Sequence, residues 1–257
     1  EIIIVGTKDG HIYSFRKADP FSASYNFESD DKSTGFASVK INSYASPTKV
    51  YFRSNIPDLM VGTQQGEMKY FENTGSIDVP SFKPAVDIPL RTNHNDFSLG
   101  NRLSLAFVDE AYMASLVSGN IVQKNDLFVG DSGGRVWYFK KDTNAKSVAY
   151  NSGVLVTGCS GGKGRASLVF RKQAGKSYLI VGDQDGAFKW CELSKLPENK
   201  LKLTEDVSAP FSISLQPGAT LTSESGAPPN NRFFLGSAVG KIFEVATTGN
   251  KAGQLTK

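Results

Sequence analysis

Five copies of one short pattern run through the chain, and this repeat restricts the fold more than any other feature. The copies are IIIVGTKDGHIYSF (2–15), LMVGTQQGEMKYF (59–71), LFVGDSGGRVWYF (127–139), LIVGDQDGAFKWC (179–191) and FFLGSAVGKIFEV (233–245). Each holds two glycines four apart: Gly6/Gly10, Gly62/Gly66, Gly130/Gly134, Gly182/Gly186 and Gly236/Gly240. The first glycines follow one another at 56, 68, 52 and 54 residues, so the copies cover nearly all of the 257 residues. A fixed period of this length marks a repeat architecture, in which one supersecondary unit is buried by its neighbours.

The physics of one unit is legible. Its apolar run does not alternate with polar residues, which predicts a strand buried on both faces. A short polar turn follows, and its second glycine suits a left-handed position that closes a hairpin. The returning strand carries Ile12, Met68, Val136, Phe188 and Ile242, and three residues on Phe15, Phe71, Phe139, Cys191 and Val245. These positions have opposite parity, so this strand too is expected to be buried on both sides. With no long amphipathic helix to cover it, such a sheet has to be stacked between other sheets.

Further strands are expected at VYF (50–52), SLAFV (104–108), SLVF (167–170) and SISL (212–215), before copies two to five. Others are expected within SFKPAV (81–86) and VLVTG (154–158), after earlier hairpins. The pattern predicts an all-β chain: a single-domain β-propeller of about five four-stranded blades over residues 1–257. A two-sheet sandwich of about twenty strands is the alternative, and it leaves the fixed unit unexplained. Copy one begins at its hairpin with no strand before it, and twelve residues follow Val245. One strand of the set is therefore expected to be missing, through a fragment boundary or an irregular closure.

Charge and composition exclude some functions. The 29 basic and 25 acidic residues are spread along the chain, so no clustered basic face for nucleic acid is expected. No apolar run reaches the length of a membrane span, which predicts no membrane insertion. The chain starts at Glu1 without a signal peptide and has no N-x-S/T sequon. Its two cysteines, Cys159 and Cys191, leave two readings open. Cys191 sits in an apolar core column, and the pair can bond if the preceding loop folds back.

Motifs with chemical meaning are weighed against the repeat. GDSGG (130–134) spells the surroundings of a protease serine. Ser132, however, aligns with Lys8, Gln64, Gln184 and Ala238 at one turn position, and neither His11 nor His94 has the context of a catalytic base. GSAVGK (236–241) has three residues between its glycines and opens a strand, so it lacks the helix N-terminus of a phosphate loop. GCSGGKGR (158–165) is glycine-rich and basic, which suits an anion, but it reads first as a flexible connection between strands. The two histidines have no metal-ligand spacing. No catalytic set, cofactor or metal site is expected.

Aromatic residues are the better functional lead. Tyr70, Tyr138 and Trp190 share one column of the repeat, and Tyr13, Trp137 and Phe243 the next. Such side chains either fill the space between blades or offer faces to sugars and peptides. The candidate ligand-binding residues are Tyr70, Trp137, Tyr138 and Trp190, with His94 and Asp96 from the long connection 87–103. Connections 216–231 and 18–46 are further places for specificity.

The segment PDLMVGTQQGEMKYFENTGSIDVPSF (57–82) resembles the VCBS/FG-GAP repeats of extracellular, integrin-like propellers. LFVGDSGGRVWYF is also similar, more distantly, to the quinoprotein-like propeller of type IV pilus tip adhesins. The first resemblance implies a secreted or surface-exposed binding protein. Its calcium loop is not reproduced, since RSNIPD (53–58) and VQKNDL (122–127) keep only Asp58 and Asp126. The expected function is non-catalytic binding of a carbohydrate or protein ligand, adhesin- or lectin-like, outside the cell or in its envelope. The alternative is a scaffold subunit docked to other subunits of an envelope, pilus or secretion assembly.

Overall fold

All five glycine-paired segments form antiparallel hairpins, and they do so in one register. The first glycine of each faces the first residue of the returning strand: Gly6 faces Ile12, Gly62 Met68, Gly130 Val136, Gly182 Phe188 and Gly236 Ile242. The structure, a computed structural model, describes residues 2–17, 27–29, 34–53, 56–92, 99–108, 124–162, 164–173, 176–195, 201–205, 220–223, 232–236, 242–246 and 255–256.

The fold is all-β. Sheet one contains β1 (Ile2–Gly6), β2 (Ile12–Lys17) and β3 (Phe27–Ser29). A single helical turn, α1 (Thr34–Ala37), follows in the connection. Sheet two contains β4 (Ser46–Val50), β5 (Asp58–Gly62), β6 (Met68–Phe71) and β7 (Val86–Ile88). Sheet three contains β8 (Ser104–Phe107), β9 (Leu127–Gly130), β10 (Val136–Phe139) and β11 (Val154–Val156). Sheet four contains β12 (Ser167–Gln173), β13 (Lys176–Gly182), β14 (Phe188–Lys195) and β15 (Leu201–Glu205). Sheet five contains β16 (Thr220–Ser223), β17 (Arg232–Gly236), β18 (Ile242–Ala246) and β19 (Leu255–Thr256). In every sheet the strands pair in chain order, and every pairing is antiparallel. Sheet one has three strands, and its β1 holds the place that β5, β9, β13 and β17 hold as second strands elsewhere.

Two strands lie away from their expected places. The strand before copy two is β4, ending at Val50, and not 50–52. The strand after that hairpin is β7, which starts at Val86, the last residue of the expected 81–86. The strand expected at 212–215 falls outside the described residues. The first strand of each four-stranded sheet sets a hydroxyl residue against the repeat glycine: Ser46 against Gly62, Ser104 against Gly130, Ser167 against Gly182 and Thr220 against Gly236. The strand starts fall opposite the repeat glycines, and apolar runs alone do not reveal them.

The paired glycines serve different physical needs. In copies one to four the second one, Gly10, Gly66, Gly134 or Gly186, takes the left-handed turn conformation, with φ of 82° at Gly66 and 75° at Gly134. In copies one to three the first, Gly6, Gly62 or Gly130, lies under a carbonyl of the segment entering the next sheet. A methyl group at Gly62 would sit 2.6 Å from the Leu103 carbonyl oxygen, and Gly130 meets Ala166 in the same way. The carbonyl on the turn residue after that glycine accepts from the same segment, Ala45 N–H to Thr7 at 3.0 Å and Ala166 N–H to Asp131 at 2.9 Å.

The chain divides into two compact units, residues 1–90 with 101–103 and residues 91–100 with 104–257. The first has a core of Ile12, Phe36, Val39, Ile41, Leu59, Val61 and Phe71. The core of the second includes Phe128, Val136, Tyr138, Leu168, Phe170, Leu179 and Cys191. As expected for strands covered on both faces, every residue of β5, β9 and β10 is buried.

Candidate functional site

Four residues of the aromatic columns, Tyr70, Trp137, Tyr138 and Trp190, are buried. Trp137 is wholly buried, and its indole N–H donates to Asp131 Oδ2 at 3.0 Å. Trp190 is buried edge-on against Tyr178, with ring centroids 5.4 Å apart. Tyr70 packs edge-on against Phe52, Tyr138 packs at a tilt against Phe128 and, like the tryptophans, both are buried. Of the two aromatic columns, Tyr13 shows a half-exposed ring, while Phe243 lies beyond the described side chains. His94 and Asp96 lie outside the described residues, as does nearly all of connection 216–231.

Both tyrosines of this set are tied to the aspartates that a calcium loop would have used. The Tyr70 hydroxyl donates to Asp58 Oδ2 at 2.8 Å, and the Asn73 backbone N–H donates to Oδ1 at 2.9 Å. The Tyr138 hydroxyl donates to Asp126 Oδ2 at 2.6 Å, and Lys141 N–H donates to Oδ1 at 2.8 Å. Each carboxylate thus clamps the start of one hairpin strand to the end of the other. Arg53 adds a 2.8 Å ion pair to Asp58. Burial, followed by the bond to the neighbouring carboxylate, pushes both phenols well above the ordinary tyrosine range.

The GDSGG pentapeptide is a hairpin turn. Buried Asp131 organises it by accepting from Gly133 N–H (2.8 Å), Arg135 N–H (3.1 Å), Arg135 Nε (2.7 Å) and Trp137 Nε1. An acid with four donors is a structural hub, and Ser132 merely spans the turn beside it.

Beside that turn lies a cleft of about 430 Å³. Arg135 and Val136 form one side at the start of β10. Leu155 and Val156 continue the wall along β11, followed by Thr157, Gly158, Cys159 and Ser160, and Lys189 of β14 closes it. Thr157, Gly158 and Ser160 are exposed, whereas Val136, Val156 and Cys159 form a buried apolar floor. The question of the cysteines is resolved here: Cys159 and Cys191 are bonded, with Cα atoms 6.2 Å apart and a sequence separation of 32. The bond pins the 157–160 wall to β14. The cleft is a half-open groove with an apolar floor and a polar rim. Sequence reasoning treated 154–158 as a strand and 158–165 as a connection. The signal it had was the cysteine pair, which could not be placed without the fold.

No family model matches the chain, and no curated protein matches it. Among solved structures it is similar to the SapL1 lectin, determined in complex with alpha methyl fucoside. The match has a TM-score of 0.52 and 11% sequence identity, and covers 100% of this chain and 91% of the lectin chain. At that identity the likeness is one of fold, and it extends over the full length of the chain.

Proposed function

We propose that this chain is a non-catalytic, lectin-like binding module, built as a β-propeller of about five blades with integrin-type repeat hairpins. It takes a carbohydrate in the cleft between Arg135, the 155–160 wall and Lys189. The observation that carries the reading is the full-length likeness of fold to a lectin. The cleft gives it a location. Thr157 and Ser160 offer hydroxyls to a sugar's polar edge, and Arg135 and Lys189 offer charged donors. The Val136–Val156 floor suits the apolar face of a pyranose ring. The disulfide is consistent with an extracellular or envelope location, where such bonds persist.

A glycan array followed by calorimetry tests this. The purified chain is expected to select a discrete set of sugars, and Thr157→Ala with Ser160→Ala is expected to weaken them by about tenfold, the loss of one or two net hydrogen bonds. Absence of sugar binding, with purification only beside a partner chain, would overturn the reading in favour of a scaffold subunit.

A further inference from the structure

In the unit formed by residues 1–90 and 101–103, two cations converge on one tyrosine. The Arg102 guanidinium lies 4.3 Å from the Tyr44 ring centroid, and Lys8 Nζ lies 5.9 Å from it. Both are within cation–π range. The backbone holds this cluster firmly. Tyr44 N–H donates to the Lys8 carbonyl at 2.9 Å, and Arg102 N–H donates to the Gln64 carbonyl at 3.1 Å. Ser43 Oγ donates to Gln64 Oε1 at 2.8 Å, which leaves the Gln64 amide NH₂ as a neighbouring donor.

The backbone at this place is strained. Tyr44 and Arg102 have φ of 47° and 58°, in the left-handed region that side chains disfavour. They hold equivalent places in the repeat, two residues before Ser46 and Ser104, which open β4 and β8. Glycine or asparagine would meet the backbone requirement at least cost. The chain instead places there two large side chains in cation–π contact, and strain of this kind gathers at binding sites. Among the described residues no carboxylate pairs with Lys8 or Arg102. The nearby acid Asp9 is already bonded to the Thr7 hydroxyl and paired with His11 at 3.6 Å.

We infer that Tyr44, Arg102 and Lys8 form a second binding site, for an oxyanion carried on a sugar: a sulfate ester or a uronate carboxylate. A guanidinium stacked on a ring presents its planar fork edge-on, the geometry that matches either oxyanion. Lys8, exposed at the turn, adds a point charge. The uncharged Gln64 amide and Ser43 hydroxyl beside the cations suit sugar hydroxyls, a need an acidic peptide does not have. The site shares no residue with the cleft at Arg135.

Calorimetry at low and at high salt decides it, using a sulfated disaccharide, a uronate disaccharide, their neutral parent, inorganic sulfate and a hexaglutamate peptide. The charged disaccharides are expected to bind at least about tenfold tighter than the neutral parent at low salt, with the advantage shrinking as salt screens it. Arg102→Gln and Lys8→Gln should each remove most of that advantage, whereas Arg135→Gln should leave it intact. Lys8 is exposed, so its variant keeps the test valid should Arg102→Gln fail to fold. Equal binding of the neutral parent, unchanged affinity in the Lys8 variant, or hexaglutamate or bare sulfate binding as tightly as the sugars would each overturn the assignment.

Discussion

Replacing Tyr138 with Phe removes one hydroxyl from the clamp on Asp126. The ring stays, so its packing against Phe128 is kept and no cavity opens. The buried carboxylate keeps the Lys141 N–H but loses a 2.6 Å donor. A hydrogen bond to a charged group contributes about 1.5–3 kcal/mol, so the expected loss is about 2 kcal/mol. Trp137 and Trp190 are both buried in the same unit as Tyr138, so their fluorescence reports its unfolding. With a urea slope of about 2–3 kcal/mol per molar, the midpoint should fall by about 0.7–1 M at unchanged slope. The pH dependence gives a second signature. The folded phenol is held protonated above its ordinary range, so its stabilisation is complete below about pH 10. Above that the unfolded chain releases the proton first, and stability falls by up to about 1.4 kcal/mol per pH unit until the folded phenol ionises too. The Phe variant lacks this slope, so the two stabilities should converge as pH rises past 10. A loss below about 0.5 kcal/mol, or a difference independent of pH, would refute the clamp; half-exposed Tyr13→Phe is the control and should change stability by less than about 0.5 kcal/mol.

Other outcomes follow from the same geometry. Ser132→Ala should leave glycan binding unchanged and stability within about 0.5 kcal/mol, measured by calorimetry and thermal melting, because Asp131 holds the turn. Gly62→Ala should destabilise by about 1–3 kcal/mol in urea, since its new methyl meets the Leu103 carbonyl and nothing there can yield cheaply. Cys159→Ser, or reduction with dithiothreitol, should cost roughly 3–4 kcal/mol through the loop it closes, seen as a lower melting temperature. The same change should weaken sugar binding at the cleft, because the 157–160 wall loses its tie to β14.

The repeat was readable because each of its requirements is local. An unbroken apolar run, a polar turn and a glycine with positive φ act within about fourteen neighbouring residues, and all five hairpins follow from them. The strand starts were not readable in the same way. Ser46 and Thr220 are marked only by the glycine that each faces across the sheet, a contact between residues far apart in sequence. The aromatic columns show the same division. Their periodicity was plain, but whether Trp137 faces a ligand or the interior depends on Asp131 reaching its indole N–H.

By itself, then, the amino-acid sequence determined the hairpins and the all-β class, because turn chemistry and apolar patterning are short-range. It also disposed of Ser132 as a nucleophile, since the repeat assigns that position to a turn. Tertiary structure alone decided that Asp58 and Asp126 clamp tyrosines and that Cys159 reaches Cys191 across 32 residues. It also placed Arg102 on Tyr44, 58 positions away in the chain. These are long-range contacts whose partners become neighbours only when separate strands and turns are brought together by packing, and no local pattern encodes which of many polar residues will meet.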